Sequence, residues 1–392
     1  MSTQSNFDVI IAGAGSLGTP TAYFLAMAGL KVLVIESRSS VGQGSNKHAI
    51  GGIRATHSDP AKILLCSRSI DIFSHWQEEH GQDIEWRAGG YSFVAYDEET
   101  EKTLKDLLEM QHNLGLNIDW LDREPFLDLV PDINPIDLRG GTFSPEDGSA
   151  SPLKAAFAFY QEAVRAGAVF HFNEIVTAVE VTGNQVRSVT TTKGRYSTNC
   201  VINAAGAWTA DIGRMVGLEL PVKPDAHEAG ITEAVQPMFS PMIVDIRRRP
   251  GSSNFYFYQH PGGKIIFCVT PDPQIWGYFE KDTSEFLPLG CKRLIETMPK
   301  LANIRVRRTW RSMYPMTPDG NPILGRVEGI EGFILATGAC GQGFMLGPGV
   351  GQLLTHLIMG NLSEKEKQCL DIVRLDREWT SMEKLSCIYW LC

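Results

Sequence analysis

The stretch Asp8-Val-Ile-Ile-Ala-Gly-Ala-Gly-Ser-Leu-Gly18 limits what this chain can fold into more than any other part of it. A short apolar run enters three glycines spaced G-x-G-x-x-G, and a helical pattern follows. Gly13 permits the tight turn and Gly15 lets the backbone approach a pyrophosphate. Gly18 lets helix and strand pack closely, and Ser16 and Leu17 lie within the same turn. The helix that starts there offers free N–H groups and a positive dipole end to phosphates. Val32-Leu-Val-Ile-Glu36 reads as the next strand, with a carboxylate at its end. Glu36 can accept the ribose hydroxyls of an adenosine, and its charge disfavours a 2′-phosphate. Ser37 and Arg38, directly after it, are candidate cofactor contacts. The complete strand–turn–helix–strand unit argues for a bound dinucleotide over a glycine turn with no ligand.

The chain has 392 residues, more than one hydrophobic core usually serves, so two interleaved domains are expected. A formal net charge of −9 argues against nucleic acid as a partner, because phosphate binding needs a surplus of Lys and Arg. Arg247-Arg248-Arg249 and Arg305-Val-Arg-Arg-Thr-Trp-Arg311 read as a solvated turn or one face of a strand. Met1 to Phe7 is polar and the next apolar run is broken by glycines, so no signal peptide is expected. No apolar run is long enough to span a bilayer. The 8 cysteines are scattered without a C-x-x-C pair, which supports neither a disulfide framework nor a metal site. A reduced, cytoplasmic protein is expected, meeting a membrane only through a partner. The segment Cys387-Ile-Tyr-Trp-Leu-Cys392 either packs on the core or meets a partner.

Apolar residues recur at helical spacing over Pro60 to Glu79 and again over Glu98 to Leu114. Pro152 to Ala166 forms a third helical pattern, with Ser151 as N-cap. Strands follow at Val169–Phe172, Ile175–Val181, Val186–Thr192 and Arg195–Ser197, and Cys200 to Gly206 is a buried strand entering a turn. From Ala229 to Val269 the texture turns β-branched and aromatic, split by Pro and Gly, as in an antiparallel sheet. Gly332 to Gly338 returns to the style of a buried parallel strand. A second glycine-rich segment, Gly338 to Gly351, follows it and leads into a helical pattern over Val350–Met359. A helix N-terminus there can face the anionic edge of a reduced flavin. That second segment separates FAD from NAD, whose enzymes usually complete their site within one continuous half of the chain.

These residues resemble the FAD-dependent D-amino acid oxidase family, and most of all its sarcosine oxidase, glycine oxidase and proline dehydrogenase β-subunit branch. The resemblance runs from about Asp8 to about Met359. It rests on the N-terminal fingerprint with Glu36, the loop Gly44-Ser-Asn-Lys-His-Ala-Ile-Gly-Gly-Ile-Arg54, the segment Arg308 to Gly325, and Gly338 to Gly351. Val201-Ile-Asn-Ala-Ala-Gly-Ala-Trp208 adds to it. The family's fold is an FAD-binding Rossmann-like α/β domain interleaved with an α+β substrate domain on a large, mainly antiparallel sheet. Residues 1–88, 142–221 and 320–392 would form the first, and 89–141 and 222–319 the second. By this resemblance Gly44, Ser45, His48, Ala49, Val176, Ala204, Ala205, Gly206, Trp208, Gly338, Gly341, Gln342, Gly343, Phe344 and Met345 also line the FAD.

The resemblance implies oxidation of the C–N bond of a small amino acid to an imine, with a hydride passing to flavin N5. Arg54 matches the arginine facing the substrate carboxylate. His48 matches the histidine that dimethylglycine and sarcosine dehydrogenases bond covalently to FAD. A non-covalent FAD with His48 lining its face is favoured over that bond. Three departures stand out. Ser312 replaces the cysteine anchor of the monomeric sarcosine oxidase-like members, and Met345 replaces a second carboxylate-binding lysine. The oxygen-activating lysine falls near Cys268, and Lys264 serves only if the register is several residues off. Carboxylate recognition then leans on Arg54 with Tyr256 or Tyr258, and His227 is a pocket candidate.

The expected function is therefore a dehydrogenase of a proline-, sarcosine- or glycine-like substrate. Its electrons would go to an acceptor protein or quinone, in a homo- or hetero-oligomer. A peroxide-releasing oxidase is the alternative, and a flavin-holding scaffold subunit a third reading.

Overall fold

The computed structural model describes residues 6–380 and 382–385, so the expectation for Cys387–Cys392 lies outside the described residues. Val9–Ala12 is the centre of a parallel sheet, pairing with Val32–Ile35 on one side and Val201–Asn203 on the other. Val9 and Ile11 enter one core and Ile10 and Ala12 the opposite one. Burial on both faces is why this strand is apolar throughout instead of alternating. The path through the sheet is Arg195–Ser197, Gln185–Thr191, Ile330–Thr337, Val201–Asn203, Val9–Ala12, Val32–Ile35 and Val169–His171. Ile323–Val327 and Val176–Thr182 pair onto it off that path.

Helices Gly18–Met27, Pro60–His80, Pro152–Arg165 and Gly343–Met359 supply the apolar cover of one face. Their ends follow capping chemistry. Asp59 accepts from Ala61 N and Lys62 N at 2.9 and 3.1 Å, with Pro60 at the first helical position, and Gly81 closes the helix at φ 68°. Ser151 accepts from Lys154 N, with Pro152 first in the helix.

The second sheet runs Val306–Met316, Lys223–Ala234, Lys264–Asp272, Gly251–Gln259, Met242–Asp245, Tyr91–Ala95, Gly140–Phe143 and Asp119–Asp122. Every pairing along it is antiparallel except Met242–Asp245 with Tyr91–Ala95. Phe255, Phe257 and Phe267 pack under helix Phe286–Thr297 on one face. Tyr91, Phe93, Tyr256 and Tyr258 gather on the other. The expected α/β architecture with a large, mainly antiparallel second sheet is therefore the observed one.

Two differences have physical causes. The helix expected from Val350 starts at Gly343 instead. Its glycines are a packing face: a Cβ on Gly347 would stand 2.0 Å from Ser16 O, and one on Gly349 2.1 Å from Leu65 O. Helix Phe286–Thr297 carries Pro288 and Gly290, which hide its periodicity. Gly290 sits against the Phe267 ring, 2.8 Å from where a Cβ would be. The basic run Arg305–Arg311 falls largely in strand Val306–Met316, with Arg307 and Arg308 exposed along it.

Candidate active site

A cavity of about 590 Å³ lies where the two sheets meet, within the roughly 300–1,000 Å³ typical of ligand sites. One end is lined by Gly13, Gly15, Ser16, Leu17, Glu36, Ser37, Arg38, Val176, Ala204, Ala205, Gly206 and Trp208. The other is lined by Gly44, Ser45, His48, Ala49, Arg54, Tyr256, Gly338, Gly341, Gln342, Gly343, Phe344 and Met345. Segments far apart in sequence thus share one wall system.

The first end fits an adenosine diphosphate. Gly13 takes φ 106°, and a Cβ there would stand 2.6 Å from Ala204 O, so the turn tolerates only glycine. A Cβ on Gly18 would meet Gly13 O at 2.0 Å, which makes Gly18 a packing residue that does not itself line the cavity. Gly15 is different, because a Cβ there would meet nothing within 4 Å. Its open face is where a pyrophosphate can approach the N-terminus of helix Gly18–Met27. Glu36 accepts from Ala14 N and Arg38 N, each at 2.8 Å, and from Ser37 Oγ at 3.2 Å. A carboxylate has about four acceptor sites, so the backbone fixes Glu36 and leaves capacity for a hydroxyl.

The second end holds buried polar atoms that need a partner. Among the described residues, His227 Nδ1, Asn254 Oδ1, Ser312 Oγ and Thr337 Oγ1 line the cavity without a hydrogen bond from protein. Orphaned buried groups cost about 1–3 kcal/mol each, so their clustering fits a ligand rich in donors and acceptors. With the open glycine at the other end, the cavity fits FAD along its length.

The loop Gly44–Arg54 is stitched to the second sheet. Ser45 Oγ donates to Met313 O at 2.7 Å, Trp310 Nε1 to His48 O at 2.8 Å, and Tyr258 hydroxyl to Ile50 O at 2.6 Å. Gly52–Ile53 adds a short antiparallel pair with Gly148–Ser149. This explains the apolar Gly-Gly-Ile before Arg54. Burial, then Lys47, lowers the His48 pKa to about 4, so its imidazole is neutral at neutral pH.

Arg54 is 5% exposed and lies over the rings of Phe93 and Tyr91, at 5.2 and 5.8 Å. Its Nη1 donates to Thr56 O and, at 3.0 Å, to His57 Nδ1. Burial and Arg54 itself hold His57 down to about 3, so that ring is the neutral acceptor. Among the described residues Arg54 forms no ion pair with a carboxylate, and the Tyr91 hydroxyl also interacts with its guanidinium. A buried cation in that state calls for an anion.

His227 stacks on Tyr314, its register neighbourhood being set by the pairing of Lys223–Ala234 with Val306–Met316. Its Nε2 lies 2.9 Å from Asp225 Oδ2. A carboxylate only accepts, so Nε2 carries a proton towards Asp225, while Nδ1 has no protein partner. The hydroxyls of Tyr256 and Tyr314 are 2.7 Å apart, and burial raises both pKa values well above the ordinary phenol range.

Tyr258 is a correction. It shares a face with Tyr256 but lies two residues further along the strand, where its hydroxyl serves Ile50 and not the cavity. Cys268 is buried beside Tyr314, and burial pushes its thiol up to about 11. Lys264 is exposed at the other end of that strand, and among the described residues no lysine lines the cavity. Sequence reasoning missed Tyr91, Phe93, Asn254, Thr270, Tyr314 and Leu385 as lining residues. Only the spacing Asp225–His227, two residues apart on one strand face, carried a local signal for its part of the site.

The chain matches the family DAO, FAD dependent oxidoreductase, over residues 8–357. It is 27% identical over 389 residues to the mitochondrial sarcosine dehydrogenase of Mus musculus, covering 96% of this chain and 42% of that protein. It therefore spans under half the length of that relative. It is 26% identical over 375 residues to the glycine oxidase of Geobacillus kaustophilus, covering 93% of this chain and 95% of the other. The crystal structure of L-proline dehydrogenase from P. horikoshii superposes with a TM-score of 0.85 at 30% identity, over 92% of this chain and 95% of that one. Among the described residues no helix is long and apolar enough to cross a membrane.

Proposed function

The chain belongs to the family of FAD dependent oxidoreductases, and from that premise we propose that it oxidises the C–N bond of a small amino acid or N-alkyl amino acid to an imine, passing the electrons to a protein or quinone acceptor. The observation that carries this is Arg54: a buried guanidinium with no ion-paired carboxylate of its own, in the same cavity as an unpaired His227 Nδ1. Arg54 binds the substrate carboxylate, each charge-assisted bond contributing about 1.5–3 kcal/mol. His57 and Thr56 hold the guanidinium at Nη1, so it meets the carboxylate preorganised.

Bound FAD supplies the two-electron acceptor for the hydride that leaves Cα. Gly13, Gly15, Ser16 and Leu17 would hold its pyrophosphate, Glu36 its adenosine, and the N-terminus of helix Gly343–Met359 with His48 and Ser312 its ring end. His227 Nδ1 accepts the ammonium proton, leaving the neutral amine whose lone pair assists hydride departure, and Asp225 stabilises the imidazolium so formed. The Tyr256–Tyr314 pair stays protonated and offers one phenol donor towards the substrate. Tyr91 and Phe93 keep water from the site.

Acceptor choice rests on Cys268 and Met345. Oxygen reduction develops negative charge that a nearby cation stabilises. Here the strand position carries a neutral thiol, and Met345 is an apolar wall. The test is an anaerobic screen of sarcosine, proline and glycine for flavin bleaching, followed by reoxidation with oxygen or a quinone. Rapid reoxidation by oxygen with peroxide release would make the protein an oxidase instead.

A further inference from the structure

Residues 382–385 follow helix Glu364–Val373 in the chain and bring Leu385 to the substrate end of the cavity. Two clamps place them. Arg377 donates twice to the Asp319 carboxylate, at 2.8 and 2.9 Å, and Glu383 N donates to Asp319 O at 3.3 Å. Lys384 N then donates to Ser58 Oγ at 2.7 Å.

Glu383 is the polar half of this return. Its side chain is fully buried. It accepts from Ser58 N at 3.0 Å, Ser58 Oγ at 2.7 Å, Lys62 Nζ at 3.1 Å and Leu385 N at 3.1 Å. Its Oε2 also lies 3.4 Å from His57 Nδ1, the nitrogen that accepts from Arg54. Burial alone would raise its pKa, but the Lys62 and Arg54 cations hold it well below the usual carboxylate range. Lys62, equally buried, spends its charge on Glu383 and on Gly320 O at 2.7 Å. Glu383 therefore balances Lys62 and ties down Ser58, four residues after Arg54.

Leu385 is the apolar half. It is 2% exposed and packs in the cluster containing Tyr91, Phe93, Val244 and Tyr258. Tyr91 and Phe93 are the rings under the Arg54 guanidinium, and Leu385 lines the same cavity. A side chain there removes volume beside the carboxylate anchor.

We infer that Glu383–Leu385 complete the substrate site: Leu385 is a specificity-determining wall that limits the group carried next to the carboxylate, and Glu383 is a positioning residue that anchors the segment following Arg54 through Ser58 and balances Lys62 beside it. This rests on the reading of Arg54 as carboxylate anchor. The wall favours small or cyclic amino acids over those with bulky side chains, since filling or emptying a methylene-sized space in an apolar pocket changes selectivity by about 10–200-fold.

The test uses FAD-loaded protein and two probes, acetate and benzoate, whose binding is read from the flavin absorbance change without turnover. Leu385→Ala is expected to tighten benzoate relative to acetate by about tenfold or more, and Leu385→Phe to weaken benzoate while sparing acetate. Glu383→Gln keeps the size of the side chain and removes the charge. It is expected to raise the acetate Kd about tenfold, which is about 1.4 kcal/mol, with the benzoate-to-acetate ratio unmoved. Should Leu385→Ala not retain FAD, the ratio in Leu385→Phe decides. An unchanged ratio in the Leu385 variants overturns the wall, and an unchanged acetate Kd in Glu383→Gln overturns the positioning role. Arg54→Ala separates the levels. If it weakens acetate while the other variants do nothing, only this inference falls; if it too leaves acetate unchanged, the carboxylate reading falls and takes this inference with it.

Discussion

The imidazole of His227 lies face to face on the phenol of Tyr314, ring centroids 3.8 Å apart and planes 19° from parallel. The stack fixes the ring plane while Asp225 holds a proton on Nε2, so the unpartnered Nδ1 has little freedom to turn away. On the proposed reading, this holds the base ready before substrate arrives.

Replacing His227 by Gln keeps the volume and removes the base. Anaerobic flavin reduction by the preferred substrate should slow by about 10²–10⁴-fold, with FAD content unchanged. Raising the pH should recover part of the rate, because more substrate then arrives with a neutral amine. A rate that is neither reduced nor pH-sensitive would assign the proton to another group. Stopped-flow absorbance across pH decides it.

The glycines of the two glycine-rich segments should fail in different ways. Gly15→Ala places its Cβ in open space on the cavity wall, so the fold should survive while FAD affinity falls. Gly347→Ala drives a Cβ into Ser16 O, 2.0 Å away. It should cost about 1–3 kcal/mol of stability and loosen FAD by shifting the pyrophosphate turn. Thermal unfolding with and without added FAD separates the two. Equal loss of Tm in both proteins would contradict the assignment.

Acid stability carries a signature of two histidines near the site, His57 buried and His48 half-buried. An unfolded imidazole takes its proton near pH 6.5, but His48 waits until about 4 and His57 until about 3. Acidification through that window protonates only the unfolded chain, so their contribution is present above pH 6.5 and is lost as the pH falls towards 4. His48→Asn should therefore show a flatter fall of Tm between pH 7 and 5. An unchanged or steeper slope would place the titration elsewhere.

The acceptor can be tested by substitution as well as by assay. Cys268→Lys puts a cation on the strand position beside Tyr314. If charge limits oxygen reduction, the variant should reoxidise in air at least tenfold faster, while reoxidation by a quinone stays the same. Equal air reoxidation in both proteins would show that a cation at this position is not what controls it.

Much of this was legible because it is local. The fingerprint Gly13–Gly18 and the strand ending at Glu36 form one unbroken unit, so spacing alone predicted the turn, the helix and the carboxylate. Arg54 was visible because an apolar Gly-Gly-Ile is out of place on a surface. What stayed hidden depends on pairing across the fold. Nothing near Tyr314 in sequence announces that strand register sets it under His227. Tyr258 looked equivalent to Tyr256 because residues two apart share a face, yet about 6–7 Å of strand separates them, and that distance takes its hydroxyl to the loop backbone. The start of the last long helix was misplaced because its glycines look like loop while serving as a close-packing face. Leu385 reaches the site through the clamps at Asp319 and Ser58, contacts without any local pattern.

The most direct measurement compares amino acids with the amines they become on loss of the carboxylate: proline with pyrrolidine, and sarcosine with dimethylamine. Each is mixed anaerobically with the FAD-loaded protein and with its Arg54→Ala variant, and flavin bleaching is followed. The account predicts that at least one amino acid bleaches the flavin far faster than its amine, and that Arg54→Ala removes most of this difference. Equal bleaching by acid and amine, or a difference that survives loss of Arg54, would contradict it.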